Sequence, residues 1–302
     1  MDLRSDLIQM INLHAHADGI YNTSISGIDC IKFSKPEFLT KRHWRASMSI
    51  VVQGCTEIIV GPQVYRYDDI PYYIVIPIDL PVTCRILSAT PEKPFLCFKI
   101  DFDPLAVAEV AAQLENDYSK EIVNPSHAVF MGKASDQMLE AAIRLSKLFQ
   151  NPEDARVLGP LVTKEILYHL LKGADGPAIR QFVRLGSKTH KIYQAIYSLK
   201  CALDEDVDVM ALAKAANMSR SAFFKHFKDV TAMSPIQYKK RLRLLEARRL
   251  MMEEGETAES SAFKAGYNSS SQFSREYSRM FGNPPLRDLM KIRVAAKVEK
   301  SN

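Results

Sequence analysis

NMSRSAFFKHFKD, Asn217 to Asp229, alternates basic side chains with aromatics, a mixture that neither a plain core helix nor a plain surface helix requires. A second stretch, YNSSSQFSREYSR from Tyr267 to Arg279, rewords it. At a shift of 50 residues Phe223 falls on Phe273, Lys225 on Arg275, Phe227 on Tyr277, Ala232 on Gly282 and Pro235 on Pro285. Ahead of the turn the shift is 49, and it puts Val209 on Ala258, Ala213 on Ala262, Asn217 on Gly266 and Met218 on Tyr267. The one-residue change sits in the turn, where insertions are tolerated most easily.

Each copy has the parts of a helix-turn-helix. A short first helix, expected at Val209 to Ala216 and again at Ala258 to Ala265, ends on Asn217 or Gly266, the residue types that best accept the left-handed conformation at a helix C terminus. Ser219 or Ser269 then stands where it can cap the next helix. The angle between two such helices lets the second enter a DNA major groove. The four-residue spacings Phe223/Phe227 and Phe273/Tyr277 mark the inner face of that second helix. At 100° per residue the opposite side carries Ser221, Lys225 and Lys228, flanked by Ala222 and Phe224; in the second copy it carries Ser271, Arg275, Ser278 and Arg279, flanked by Gln272. These types suit base edges: Arg or Lys donates to guanine, Gln pairs with adenine, and Phe224 can pack on a thymine methyl. The expected DNA-binding set is Arg220, Ser221, Phe224, Lys225, Lys228, Arg243, Ser270, Ser271, Gln272, Arg275 and Arg279.

Between the copies, SPIQYKKRLRLLEARRLMM (Ser234 to Met252) is long enough for a helix of roughly 28 Å at 1.5 Å per residue. Successive major grooves on one DNA face lie about 34 Å apart. Lys239, Lys240, Arg241, Arg243, Arg248 and Arg249 on this segment are expected mostly at phosphates, with ion pairs to Glu253 and Glu254 the competing use of Arg248 and Arg249.

Charge agrees with that reading. From Ser187 onward there are 21 Lys+Arg against 13 Asp+Glu, whereas residues 1 to 186 carry 19 against 22. The basic excess belongs to the C-terminal third and suits a polyanionic partner.

The N-terminal half has another character. MSIVVQG, TEIIVG, VYRYDD, YYIVIPI and FLCFKIDF, between Met48 and Phe102, are β-branched and aromatic and are bounded by Gly, Pro and Asp, as strands of a sandwich or small barrel are. Helical periodicity takes over after Pro104 in LAVAEVAAQLEND, ASDQMLEAAIRLSKLF and RVLGPLVTKEILYHLLKG. In the third, Leu161, Ile166, Leu167, Leu170 and Leu171 make a wide apolar face. One such face covers the strands; a second, left exposed, would join two subunits. A domain boundary is expected at Gly186-Ser187, giving a regulatory and dimerisation domain over 1–186 (strand-rich 20–103, helical 104–180), a DNA-binding domain over 187–290 and a basic tail over 291–302.

The residues from about Lys191 to Met290 resemble the DNA-binding domain of AraC/XylS-type bacterial transcription regulators, on NMSRSAFFKHFK, RLRLLEARRLM and AGYNSSSQFSREYSRMFGNPP. The first 180 residues or so resemble the AraC-type N-terminal regulatory domain, on IVVQGCTEIIVGPQVYRYDD, IDLPVTCRILSATPEKPFLCFKIDFDP and GPLVTKEILYHLLKG. The resemblance implies an α+β chain: a cupin-like β-barrel with a helical dimerisation segment, then an all-α domain whose two helix-turn-helix units, joined by a long helix, bind adjacent major grooves. Carried over, the family's base-reading positions fall on Ser221, Phe224, Lys225, Ser271, Gln272 and Arg275. Two departures stand out: Asn217 replaces the usual glycine of the first turn, and Ser261 replaces an apolar core residue. A buried Ser261 must find a backbone acceptor or cost its domain on the order of 1 to 3 kcal/mol.

The expected function is sequence-specific, signal-controlled transcription regulation. Its partners are double-stranded promoter DNA, a second copy of the chain in a homodimer, RNA polymerase if it activates, and an unidentified small-molecule effector; no cofactor is expected. The competing class is a metal-dependent cupin-like or His-x-His enzyme fused to a DNA-binding domain, for which HAHAD (His14 to Asp18) is the best candidate. No other His/Glu cluster, Gly-rich phosphate loop or Gly-x-Ser-x-Gly elbow supports it. A purely architectural DNA-binding protein has no use for the strand-rich half. Trp44 reads as core before pocket, and the five cysteines, scattered and odd in number, read as buried free thiols before a thiol sensor. With acids early and no apolar run of eighteen residues, the chain is expected to stay in the cytoplasm, with no membrane partner.

Overall fold

The computed structural model describes residues 2–118 and 125–290; the expected basic tail, 291–302, lies outside them. Among the described residues the strand-rich part holds ten strands in two antiparallel sheets. One runs in the order β1 (Gly19–Asn22), β2 (Ile28–Phe33), β9 (Phe95–Asp101), β4 (Ser47–Gln53), β7 (Tyr72–Ile76), β10 (Phe130–Lys133). The other runs β3 (Phe38–Trp44), β8 (Leu80–Ser88), β5 (Cys55–Val60), β6 (Gln63–Arg66).

Burial explains the strand sequences. β4 is buried at every residue from Ser47 to Val52, as a central strand covered on both faces must be. Its Ile50 sits opposite Tyr73 on β7 and Phe98 on β9. The smaller sheet packs against one face, where Tyr72 accepts the Thr56 N–H through its hydroxyl at 3.1 Å. Helix α1 (Leu3–His14) meets β2, β4 and β9 and also α3 (Asp136–Lys147), with Leu7 and Ile11, one turn apart, fully buried.

Neither sheet closes. Among the described residues β1 and β10 end the larger sheet and β3 and β6 the smaller, each paired on one side only. The expectation of a cupin-like barrel is corrected to two open sheets packed face to face: short β-rich runs specify strands, but closure depends on which edges pair, and no residue type records that.

Helix α4 (Pro152–Lys172) buries Ile166, Leu167, Leu170 and Leu171. Leu161, expected on that face, is instead 60 % exposed and joins Val157, Leu158 and Tyr168 on an uncovered apolar side. Cys30, Cys84 and Cys97 are buried in the sheets, whereas Cys55 is half-buried and Cys201 exposed, so the expectation of buried thiols fails for the last two. Trp44 is half-buried and packs on the core, not in the cavity described below.

The C-terminal part is helical: α6 (Lys188–Cys201), α7 (Val209–Ala215), α8 (Arg220–Thr231), α9 (Pro235–Glu253), α10 (Ala258–Lys264) and α11 (Ser270–Phe281). Its caps match the repeat: Ser219 and Ser269 accept the N–H of Ala222 and Gln272, and Asn217 and Gly266 take the left-handed turn at φ 52° and 85°. The core, however, does not break near residue 186. One apolar cluster runs from Leu7 through the sheets to Phe223, Phe227, Tyr238 and Leu242, and a second, separate cluster surrounds Ala262, Phe273 and Tyr277. The first helical pair is thus packed with the strand module, and the second carries its own core.

At the junction of the strand module with α2 (Pro104–Tyr118), α5 (Gly176–Arg180) and α6 lies a cavity of about 20 Å³ walled by Ala46, Pro77, Phe102, Val107, Phe182 and Tyr193. It has room for about one water molecule.

Candidate nucleic-acid interface

The two pairs α7–α8 and α10–α11 are built alike. Phe223 and Phe227 are fully buried with ring centroids 5.7 Å apart, and Phe227 meets Tyr238 of α9 edge-on at 5.6 Å. Phe273 and Tyr277 repeat the arrangement at 5.3 Å. Tyr277 donates to Asp288 Oδ2 at 2.8 Å, and Arg248 Nε donates to the same oxygen at 2.9 Å. Aromatic burial therefore sets which side of α8 and α11 faces the solvent.

The solvent side holds the members of the expected set that lie on α8 and α11. Arg220, Ser221, Lys225 and Lys228 are exposed on α8, with Phe224 half-buried; Ser270, Ser271, Gln272, Arg275 and Arg279 are exposed on α11. Arg220 lies over the Phe224 ring, 5.8 Å from its centroid. Among the described residues Lys225, Lys228, Arg275 and Arg279 have no ion-pair partner. Each pair thus presents two or more unneutralised cations on one helical face, the charge pattern that attracts phosphate and donates to guanine.

The basic residues of α9 are differently employed. Lys239 is buried and donates to the carbonyls of Ala202 and, at 2.5 Å, Glu205. Arg243, expected in the DNA-binding set, donates to Leu203 O at 2.6 Å and Glu205 O at 2.7 Å. These carbonyls close α6 and the loop after it, where no helical N–H remains to satisfy them. Arg248 is buried in its pair with Asp288 and lies over the Phe281 ring at 4.6 Å. Arg249 does take the ion-pair alternative, with Glu246 at 2.7 Å and Glu254 at 2.9 Å, and Lys240 pairs with Glu276 at 2.6 Å. α9 is mainly a brace, and its acceptors, backbone carbonyls above all, leave no mark in a sequence.

The brace also explains why the two turns differ. Asn217 is exposed, so its side chain is tolerated. A Cβ on Gly266 would lie 2.7 Å from Asp204 Cα and 2.8 Å from Leu203 O, so the second turn presses against the loop that Arg243 grips.

Sequence reasoning missed Asp79. Between β7 and β8, its Oδ1 accepts the Ala46 N–H at 3.0 Å, its carboxylate pairs with Lys200 of α6, and its carbonyl accepts the Tyr238 hydroxyl at 2.6 Å. An isolated Asp in an apolar stretch carries no periodic signal, so only the packing reveals it.

The residues of HAHAD are engaged locally: His14 Nε2 lies 3.1 Å from Asn22 O, and Asp18 Oδ1 accepts the Ser34 N–H at 2.8 Å. Among the described residues no three His, Cys, Asp or Glu side chains gather as a metal site, and no helix is long and apolar enough to cross a membrane.

Two open sheets feeding a helical domain with a repeated, cation-bearing pair define a regulator of the AraC type. Residues 24–178 match the AraC-type transcriptional regulator N-terminus and residues 212–289 match a helix-turn-helix domain. The first match alone spans more than half of the sequence, and the chain belongs to the AraC-type transcriptional regulators. Among curated proteins it is similar to the transcriptional regulators ArgR of Pseudomonas aeruginosa, 26 % identical over 144 residues (48 % of this chain, 44 % of that protein), and GbdR of the same species, 27 % over 134 residues (44 % and 36 %). It therefore spans less than half the length of these relatives. An apo variant of ToxT from Vibrio cholerae shares the fold over 89 % of this chain and 99 % of its own, with a TM-score of 0.58 at 11 % identity. ToxT with an unsaturated fatty acid bound gives 0.57 at 12 % identity, over 87 % and 93 %.

Proposed function

We propose that this chain is a sequence-specific transcription regulator and not an enzyme, in which α7–α8 and α10–α11 are two helix-turn-helix units that place α8 and α11 in adjacent major grooves of promoter DNA. The observation that carries this reading is the pairing, on both helices, of a buried aromatic couple with an exposed face of unneutralised Lys or Arg. Lys225, Phe224 and Ser221 in the first unit, and Arg275, Gln272 and Ser271 in the second, read bases. Arg220, Lys228, Ser270 and Arg279 lie at their margins and serve phosphates. Because the two sets differ, the half-site for one chain is asymmetric. Arg243 supports the site by holding the α6–α7 loop.

The N-terminal domain, residues 1–186, receives the signal, and a small molecule is its proposed form; ToxT, of the same fold, has been solved with a fatty acid bound. The uncovered apolar side of α4, with Val157, Leu158, Leu161 and Tyr168, is the proposed homodimer contact. RNA polymerase is the further partner where the operator position makes the protein an activator, and the cytoplasm is its place of action.

Selection from random duplexes at moderate salt tests the proposal. Enrichment of one asymmetric site, weakened by Arg275→Ala, supports it; binding without sequence preference overturns it.

A further inference from the structure

The same local sequence is used in two ways at the starts of α9 and α11. Both begin with a Ser cap followed three residues later by Gln, the pattern of a capping box. In α9 the box closes: Ser234 Oγ accepts the Gln237 N–H at 3.3 Å, and Gln237 Oε1 accepts the Ser234 N–H at 3.0 Å. In α11 Ser269 Oγ accepts the Gln272 N–H at 3.3 Å, but the Gln272 amide reaches forward, and its Nε2 donates to Glu276 Oε1 at 3.3 Å.

Glu276 is itself held from two sides. Lys240 of α9 pairs with Oε1 at 2.6 Å, and Tyr267, in the turn before α11, donates to Oε2 at 3.0 Å. Its side chain is 15 % exposed. Burial pushes the carboxyl up, but the hydrogen bonds from Lys240, Gln272 and Tyr267 outweigh that and hold it below the usual range. An ionised carboxylate only accepts hydrogen bonds, so the Gln272 amide has one orientation at this contact: nitrogen toward Glu276, oxygen away. The Lys240 charge also neutralises Glu276 and limits its repulsion of DNA. The first unit has Ala222 and His226 at the corresponding positions, so the device belongs to the second unit alone.

We propose that Glu276 is a positioning residue for base recognition, fixing the flip of the Gln272 amide so that its oxygen and remaining N–H face the groove as an acceptor and donor matched to adenine. This rests on the reading of α11 as a groove helix. An unsupported exposed glutamine presents its oxygen or its nitrogen to the same place with similar ease; the held one presents a single pattern, and that is what discriminates adenine from the other bases.

The test is duplex selection with the full chain, comparing wild type with E276A, E276Q, Q272A and the E276A/Q272A double variant, with thermal melts alongside. The wild type should select adenine at one position, and Q272A should lose that preference. E276A should lower it by about tenfold at that position only. E276Q, which keeps an acceptor oxygen and bonds to Lys240 and Tyr267, should fall between, and guards against a fold defect in E276A. The double variant should discriminate no worse than Q272A. Adenine preference unchanged in E276A and E276Q overturns the role of Glu276, as does a loss spread evenly over all positions or an equal loss in the Q272A background. A wild type that selects no site overturns the DNA-reading function itself, and the proposal with it.

Discussion

The Tyr238 hydroxyl of α9 donates to the main-chain carbonyl of Asp79 at 2.6 Å, tying α9, on which Phe227 of the first helical pair packs, to the loop between β7 and β8. Tyr238 is fully buried. On the neighbouring β5–β6 turn, a Cβ on Gly61 would stand 3.0 Å from Ala232 O, so the turn that ends α8 touches the strand module as well. Tyr238→Phe keeps the ring and removes one donor from a partly buried carbonyl. It should destabilise the chain by about 1 kcal/mol, and up to about 3 if the carbonyl finds no substitute, read as a lower urea midpoint at unchanged slope.

Ser261 is fully buried, and among the described residues its hydroxyl has no hydrogen-bond partner. Of the two outcomes open to a buried serine here, the structure takes the costly one. Ser261→Ala removes the unsatisfied group and adds helix propensity, so it should stabilise the protein by about 1 kcal/mol and raise its melting temperature. A lower melting temperature would show that the hydroxyl is satisfied in solution.

The asymmetry of the turns gives a paired prediction. Gly266→Ala forces a Cβ into a left-handed residue, costing about 1 to 2 kcal/mol from backbone strain alone, and into the Asp204 and Leu203 backbone. It should lower stability and weaken binding to the full site, because the loop it strikes sets how the second unit sits on the first. Asn217→Gly, at the exposed equivalent, should stay within about 0.5 kcal/mol of wild type.

Exposed Arg275 and paired Arg249 separate recognition from bracing. Arg275→Ala should cost about 1 to 3 kcal/mol of discrimination at one base position. Arg249 is occupied by Glu246 and Glu254, so Arg249→Ala should leave the slope of log affinity against log salt unchanged. A slope reduced by about one would return Arg249 to the phosphates.

What the sequence determined by itself is local or repeated. The fifty-residue shift, the serine caps, the left-handed turns and the inward aromatics all follow from interactions within a few residues, and Ser221, Lys225, Ser271 and Arg275 are found on the outward face for that reason. Tertiary structure decided what depends on partners far along the chain. It left the two sheets open where a barrel was expected, and it turned Leu161 outward although Ile166, Leu167, Leu170 and Leu171, expected on the same face, point to the core. Lys239, Arg243 and Arg248 became braces because the groups they satisfy, carbonyls at Ala202 to Glu205 and the carboxylate of Asp288, are between 34 and 40 residues away. A cation in a sequence declares its charge, but its use is set by the nearest buried acceptor that lacks a donor, and folding alone determines which one that is.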